Sequence, residues 1–396
     1  MPRWMLLRVM QVSILGMMAL LFMLGGCDAS STSKPRPTTP PIIPTVTTAL
    51  PGSWYTASTP GALGFTDGSG SVGLAASPAN PPEIAGCGMP ALGLNETAAP
   101  KFLYSVNAGH TWHTHTIQGA TTTNSCSIVA DSILPQTFVI QIGGNGSPQL
   151  LVTRDNGVTW KSLASPSGYA PLLSGSPGFG ASYLVDGHLI TTFLPVGQTS
   201  PFRLYDLNLS GGFTALDTHL PQPPKSTGLV GFEALAVDPT DPGHLYAAIY
   251  GAFGPNHNSG FRLYETRDAG ATWQDIHEWQ TSLSLAIWAS PDKRIYALDL
   301  QDTQTGLYST ADGATWQFTD VNAGSLALSP SGLVVLIGDQ NLTSFDATRR
   351  LLQAISTQQP HVLFGTTFWV VIDHPSPAFL LVTNQGTFVR PFTPAH

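Results

Sequence analysis

An eight-residue pattern recurs along this chain and constrains it more than any other feature. Thr153-Arg154-Asp155-Asn156-Gly157-Val158-Thr159-Trp160 reads T-x-D-x-G-x-T-W, and Thr266-Arg267-Asp268-Ala269-Gly270-Ala271-Thr272-Trp273 reads the same. Ser105 to Trp112 keeps the pattern with Asn107 in place of the Asp. Ser309 to Trp316 keeps all but the Asp, which stands one place late as Asp312. Each copy lies between two apolar runs, for example Phe261 to Thr266 and Thr272 to Ile276, which makes it a hairpin turn. Gly supplies the positive φ that such a turn needs. The Asp or Asn side chain accepts hydrogen bonds from turn amides, and the Ser or Thr hydroxyls add local bonds. The Trp opens the outgoing strand and is large enough to fill the space between neighbouring sheets. Asn107, Trp112, Asp155, Trp160, Asp268, Trp273, Asp312 and Trp316 are therefore read as structural, and none as catalytic.

The Trp residues are 48, 113 and 43 positions apart, so one copy has decayed inside the long gap. Tyr205 to Thr214, around Ser210-Gly211-Gly212, is the candidate; Ser344 to Arg350 and Thr383 to Phe388 are placed for two more. A second element also repeats: strand, turn, strand. Ala236-Val237-Asp238-Pro239 precedes Leu245-Tyr246-Ala247, and Ala289-Ser290-Pro291 precedes Ile295-Tyr296-Ala297. Similar pairs start near Ala76, Val129, Leu184, Leu328 and Phe368. That gives seven units, with six as the alternative. Residues 53–396 then divide into about 49 residues per unit, the length of a four-stranded unit. Trp54-Tyr55-Thr56 is placed to add an outer strand that closes the set. With 40 Gly, 33 Pro and only 10% charged residues, the composition favours strands and tight turns over helices.

The eight-residue motif resembles the Asp box, or BNR repeat, of sialidase-like β-propellers. That resemblance implies an all-β fold over 53–396, a propeller of seven four-stranded blades. It also implies that the motif is scaffold on the rim.

The N-terminus carries Arg3 and Arg8, an apolar run from Val9 to Leu24, and then Leu24-Gly25-Gly26-Cys27. Basic, apolar and small-residue regions in this order make a secretory signal over 1–26. Its last four residues resemble the bacterial lipobox, which implies lipidation of Cys27, membrane anchoring by that lipid and an extracytoplasmic location. Residues 27–52 are rich in Ser, Thr and Pro and are expected to be a disordered, extended tether. In an oxidising compartment, Cys87 and Cys126 either bridge neighbouring repeats or stay as two buried thiols. The bridge is the expectation, since the two fall in equivalent positions of consecutive repeats.

Chemistry is sparse. Sialidases share an arginine triad, a Tyr activated by Glu and an Asp acid, and their early F-R-I-P motif is absent here. Of eleven Arg, Arg154 and Arg267 belong to the repeated turns, and Arg203 and Arg262 share one position in Phe-Arg-Leu-Tyr. A carboxylate pair is the other route to glycoside hydrolysis. Glu233, on an expected innermost strand, is the weak catalytic candidate, with Asp131 or Asp186 as its partner. A long loop is expected over 250–261. His113 and His115 fall on one face of a strand near His110, but that spacing reads as exposed polar alternation rather than as a metal site. No metal or cofactor is called. The net charge of −8 and the scattered Lys and Arg exclude a nucleic-acid stripe. The expectation is a monomeric, surface-anchored, non-catalytic propeller that binds a protein or glycan. The alternative is a glycoside hydrolase acting at the central channel.

Overall fold

The computed structural model describes strands from Thr47 to Pro391 and, between residues 100 and 320, most of the turns that join them. The signal segment, Cys27 and most of the tether lie outside the described residues. Among the described residues every regular element is a strand, and the strands form seven separate sheets.

Sheet 1 shows the plan. Its strands Gly73–Ser77, Glu83–Gly88, Lys101–Ser105 and His113–Thr116 pair in sequence order, each antiparallel to the next. Sheets 2 to 6 repeat this order over residues 125–163, 183–215, 231–279, 285–320 and 325–356. In sheet 7, Phe368–Ile372, Ala378–Thr383 and Gly386–Pro391 supply three strands, and Tyr55–Ala57 pairs on the outside as the fourth. The expected closing strand is therefore present. The first strand of sheet 7 also lies beside the first strands of sheets 6 and 1, which joins the last unit to the first.

The up-and-down order sorts the turns. Turns between strands one and two, and between three and four, sit at one end of every sheet. We call this the motif end, because the repeated turns are all there. The turns between strands two and three are at the opposite, hairpin end. Thr383 to Phe388 is therefore not a decayed motif, since it spans the hairpin between strands two and three. Sheet 7 borrows its outer strand from the N-terminal part of the chain, so it has no continuous turn in which a motif could sit.

The core lies between the sheets. Along strand Asp241–Phe253, Leu245, Ala247 and Ile249 pack toward sheet 3, while Tyr246 and Ala248 pack toward sheet 5. Both faces are buried, so this strand reads as a continuous apolar run rather than an alternating one. Similar clusters join sheet 1 to 2 and sheet 2 to 3. Cys87, on the second strand of sheet 1, is bonded to Cys126, on the first strand of sheet 2, with Cα atoms 5.8 Å apart. The two are thus not in equivalent positions. The bond crosses from the second strand of one unit to the innermost strand of the next.

Two departures from the plan concern the edges. Thr47–Thr48, expected within the tether, pairs in parallel with Gln353 and Ala354 on the outer strand of sheet 6. In sheet 3 the innermost position is split between Tyr169–Leu172 and Tyr183–Val185, which pair with the two halves of His188–Pro195. Ser182 and Thr191 close the break: their hydroxyls are 2.6 Å apart, and both donate to the Leu172 carbonyl.

Candidate functional site

The repeated turns are built as their residue types require. In the second copy, Asp155 Oδ1 accepts from the Thr153 hydroxyl (2.8 Å) and the Thr159 amide (2.9 Å), and Oδ2 accepts from the Thr159 hydroxyl (2.6 Å). The Gly157 amide returns to Thr153 Oγ1 at 2.8 Å. The third copy repeats this network with Thr266, Asp268, Gly270 and Thr272. Hydrogen bonds from the Thr272 hydroxyl and amide hold the Asp268 carboxyl at about 2.

The fourth copy needs a change of frame. Its first hydroxyl is Thr310, not Ser309, for Thr310 Oγ1 donates to Asp312 and accepts from the Gly313 amide. The Asp has not moved; one residue is missing between Asp and Gly. In the second and third copies that residue is Asn156 or Ala269, each at positive φ. The deletion removes a left-handed non-Gly residue and keeps the turn.

Three of the four Trp serve the preceding sheet. Trp160 meets the Phe102 ring edge-on at 5.2 Å, Trp273 donates to the Leu216 carbonyl at 3.0 Å, and Trp316 packs on His277 and Trp279. Burial among these rings lowers the His277 pKa to about 4. The motif is an inter-sheet fastening, and all of it is at the motif end.

The carboxylates singled out from the sequence do not come together. Asp131 is fully buried and accepts four backbone amides: Ile133, Leu134, Asp186 and Gly187. It ties the first turn of sheet 2 to that of sheet 3. Asp186 is exposed in that turn with φ 49°. Both stand at the motif end. Glu233 lies near the opposite end of Gly231–Asp238, five residues before Asp238, or about 16 Å along the strand. Strand direction thus places Glu233 at the opposite end from Asp131 and Asp186, against the weak candidate pairing and in keeping with a strand-end acid. Glu233 does occupy a β-bulge, since Phe232 pairs with Ile249 and Ala234 with Ala248. Its side chain lies outside the described residues.

Two bonds run across the inner side of the sheets. Ser132 Oγ donates to the Pro239 carbonyl at 2.9 Å, from sheet 2 to sheet 4, passing the short turn of sheet 3. The Tyr183 hydroxyl reaches the Ile287 carbonyl at 3.5 Å, from sheet 3 to sheet 5. Burial raises the Tyr183 pKa strongly.

A polar cluster went unnoticed in the sequence. His244 is buried, with Nδ1 3.3 Å from Asp238 Oδ2 and Nε2 2.8 Å from Glu265 Oε1. The Tyr246 hydroxyl is 2.7 Å from Nε2, and Arg267 pairs with Glu265 at 2.7 Å. Burial works against the Glu265 carboxylate, but His244 and Arg267 outweigh it and lower its pKa. The only sequence signal was a polar residue on each side of the Pro239 turn. His113 and His115 both stack on the Tyr104 ring, at 5.1 and 5.3 Å, and His110 lies outside the described residues.

The hairpin end holds the largest irregularity. From the residue paired with the first hydroxyl position of the motif, the second strand runs five paired residues in four sheets: Ile84 to Gly88, Phe138 to Ile142, Leu189 to Phe193 and Ile295 to Asp299. In sheet 4 it runs nine, Leu245 to Phe253. Residues 250–253 and 258–261 are therefore paired strand rather than the expected loop, and 254–257 lie outside the described residues. Among the described residues this ladder is four pairs, about 14 Å, longer than those of the other four sheets.

Neither a protein-family model nor a curated protein sequence matches the chain. Solved structures do resemble it. One is a GH74 xyloglucanase from Xanthomonas campestris, at 16% identity and TM-score 0.46, covering 78% of this chain and 50% of that one. Another is YCF48 bound to D1 peptide, at 15% and 0.48, covering 90% and 99%. A third is a fungal lectin from Aleuria aurantia with a six-bladed β-propeller fold, at 11% and 0.37, covering 82% and 95%. The chain is a β-propeller. Its sheets are the blades. The chain spans half the length of the xyloglucanase, and at these identities the likeness is one of fold, so no functional argument rests on it.

Proposed function

We propose that this chain is a non-catalytic binding propeller of the Asp-box, sialidase-like class. It is held at the outer face of a membrane by lipid on Cys27 and engages a protein or glycan ligand at its hairpin end. The observation that carries this reading is the blade 4 ribbon, nine paired residues long where, among the described residues, four equivalents have five. A ladder extended at one end of a rigid scaffold is a usual place for recognition. The fates of Asp131 and Asp186 support the same reading, since both serve turn geometry.

The test compares full-length protein with a variant in which residues 252–259 are replaced by Asn-Gly. Both are presented to a glycan panel and to candidate envelope proteins. Loss of a specific ligand with an unchanged melting temperature is expected. Equal binding by both proteins would move the site elsewhere. Cys27→Ser is expected to release the protein from the membrane fraction.

Hydrolysis keeps one specific support, the bulge at Glu233, since bulges re-aim side chains beside active sites. Turnover of a fluorogenic glycoside that disappears in Glu233→Gln would replace the binding reading with this one.

A further inference from the structure

Arg203 opens the third strand of blade 3 at the hairpin end. Its Nε donates to both oxygens of Asp217, at 3.0 and 2.8 Å. The Asp217 side chain is 4% exposed and the Arg203 side chain 32%. The buried carboxylate thus fixes the guanidinium from behind. Neither η nitrogen has a partner among the described residues.

Two phenols complete the group. The Arg203 guanidinium carbon is 5.8 Å from the centre of the Tyr205 ring, and Tyr205 meets Tyr169 edge-on at 6.0 Å. Tyr169 also lies at the hairpin end, paired with Pro195 at the close of the second strand. Neither hydroxyl has a partner among the described residues, and neither is among the buried unsatisfied atoms. The floor is apolar, formed with Leu150, Val152 and Leu163 of blade 2. Phe213, 46% exposed, stands edge-on to Tyr205 at 5.9 Å.

The fold supplies its own comparison. Arg262 holds the same repeat position in blade 4, four residues before the first motif hydroxyl. It gives Nε and Nη2 to Glu278, at 3.2 and 2.9 Å, and Nη1 lies 3.4 Å from Asp275. Two acids neutralise Arg262 on the rim. One buried acid positions Arg203, and among the described residues its η nitrogens have no partner.

We propose that Arg203, Tyr169 and Tyr205 form a receptor for a carboxylate where blades 2 and 3 meet. The planar fork matches a carboxylate, the phenols supply two further donors, and Phe213 offers a face to an apolar or planar neighbour of the acid. A dianion is disfavoured, because Asp217 already balances Arg203, the only cation of the group among the described residues. This inference rests on the binding reading and names the chemical group recognised.

Full-length protein in detergent is titrated with benzoate, glucuronate, N-acetylphenylalanine and inorganic phosphate, and with the methyl ester or amide of each organic acid, by ligand-observed NMR. Acids are expected to bind, with esters, amides and phosphate weaker. The tighter of glucuronate and N-acetylphenylalanine distinguishes a sugar acid from a peptide terminus as the source. Arg203→Met is expected to weaken acid binding more than about tenfold. Because it strands Asp217, Tyr169→Phe serves as the milder variant, with a loss of about three- to tenfold and no change in melting temperature. Arg262→Met is expected to bind as the parent does. No acid binding, or binding insensitive to both Arg203→Met and Tyr169→Phe, overturns the proposal. If that result comes while the shortened blade 4 ribbon still abolishes ligand capture, the carboxylate receptor alone is wrong. If neither change affects a ligand that the parent binds, the hairpin-end site falls with it; if the parent binds no ligand at all, the binding reading falls.

Discussion

At the scale of single residues, Gly157 and Gly270 of the motif meet two demands at once. Gly270 has φ +83°, and a Cβ there would lie 2.2 Å from the Leu216 carbonyl oxygen of the preceding blade. Gly168 has φ +79° but nothing within 4 Å of the same added atom. Gly168→Ala is thus expected to cost only backbone strain, on the order of 1 kcal/mol. Gly270→Ala must also push blade 3 away, and a loss of more than about 3 kcal/mol is expected in urea melts. Equal losses would mean that the close approach between blades contributes nothing. Titration provides a second test at this scale. Burial lowers the folded-state pKa of His277 to about 4, from an ordinary 6.5. Between those values the unfolded chain binds the extra proton, so stability rises with pH through this window and falls as pH drops from 6.5 toward 4. Melting temperatures measured across it should show that slope, and His277→Phe should flatten it.

At the scale of elements, what the sequence showed and what it hid divide by residue type. The motif turns and the seven strand-turn-strand echoes were legible because Gly, Asp, Thr and Trp are each required there for a separate physical reason. The blade 4 ribbon was not. Gly251, Gly254, Pro255 and Gly260 read as loop, yet Gly251 pairs with Gly260 and the ladder runs on to Phe253 and Asn258. Local propensity lost to register carried outward from Leu245 and Thr266. The split inner strand of blade 3 was hidden for a related reason, since Leu172 and Tyr183 are distant in sequence but adjacent along one partner strand. Asp131 was legible as a turn residue, but its reach to the next blade depends on tertiary placement. Because it accepts four backbone amides, Asp131→Ala strands several buried donors at the joint between blades 2 and 3. A loss of about 3 kcal/mol or more is expected. Asp131→Asn, which keeps one acceptor oxygen, should lose less. A chemical denaturation series on both variants measures the difference.

At the scale of the whole molecule, the ring is fastened unevenly. Blades 1 and 2 share the Cys87–Cys126 bond, whose loop spans 39 residues. A covalent closure of that length limits the unfolded chain by about 4 kcal/mol in the chain-entropy treatment. Blade 7 depends on three residues, Tyr55–Ala57, paired with Thr387 to Val389. Without them the strand Gly386–Pro391 becomes an open edge beside blade 1, and an open edge is a template for another chain. A chain lacking residues 1–57 should therefore melt earlier and elute as concentration-dependent oligomers in size-exclusion chromatography. A Cys87→Ala/Cys126→Ala variant should also melt earlier but elute as a monomer, because its edges stay paired. The contrast separates a fastening that acts through the unfolded chain from one that protects a strand. If the truncated chain stays monomeric and melts with the parent, the N-terminal strand contributes nothing to closure and the ring is held by blade packing alone.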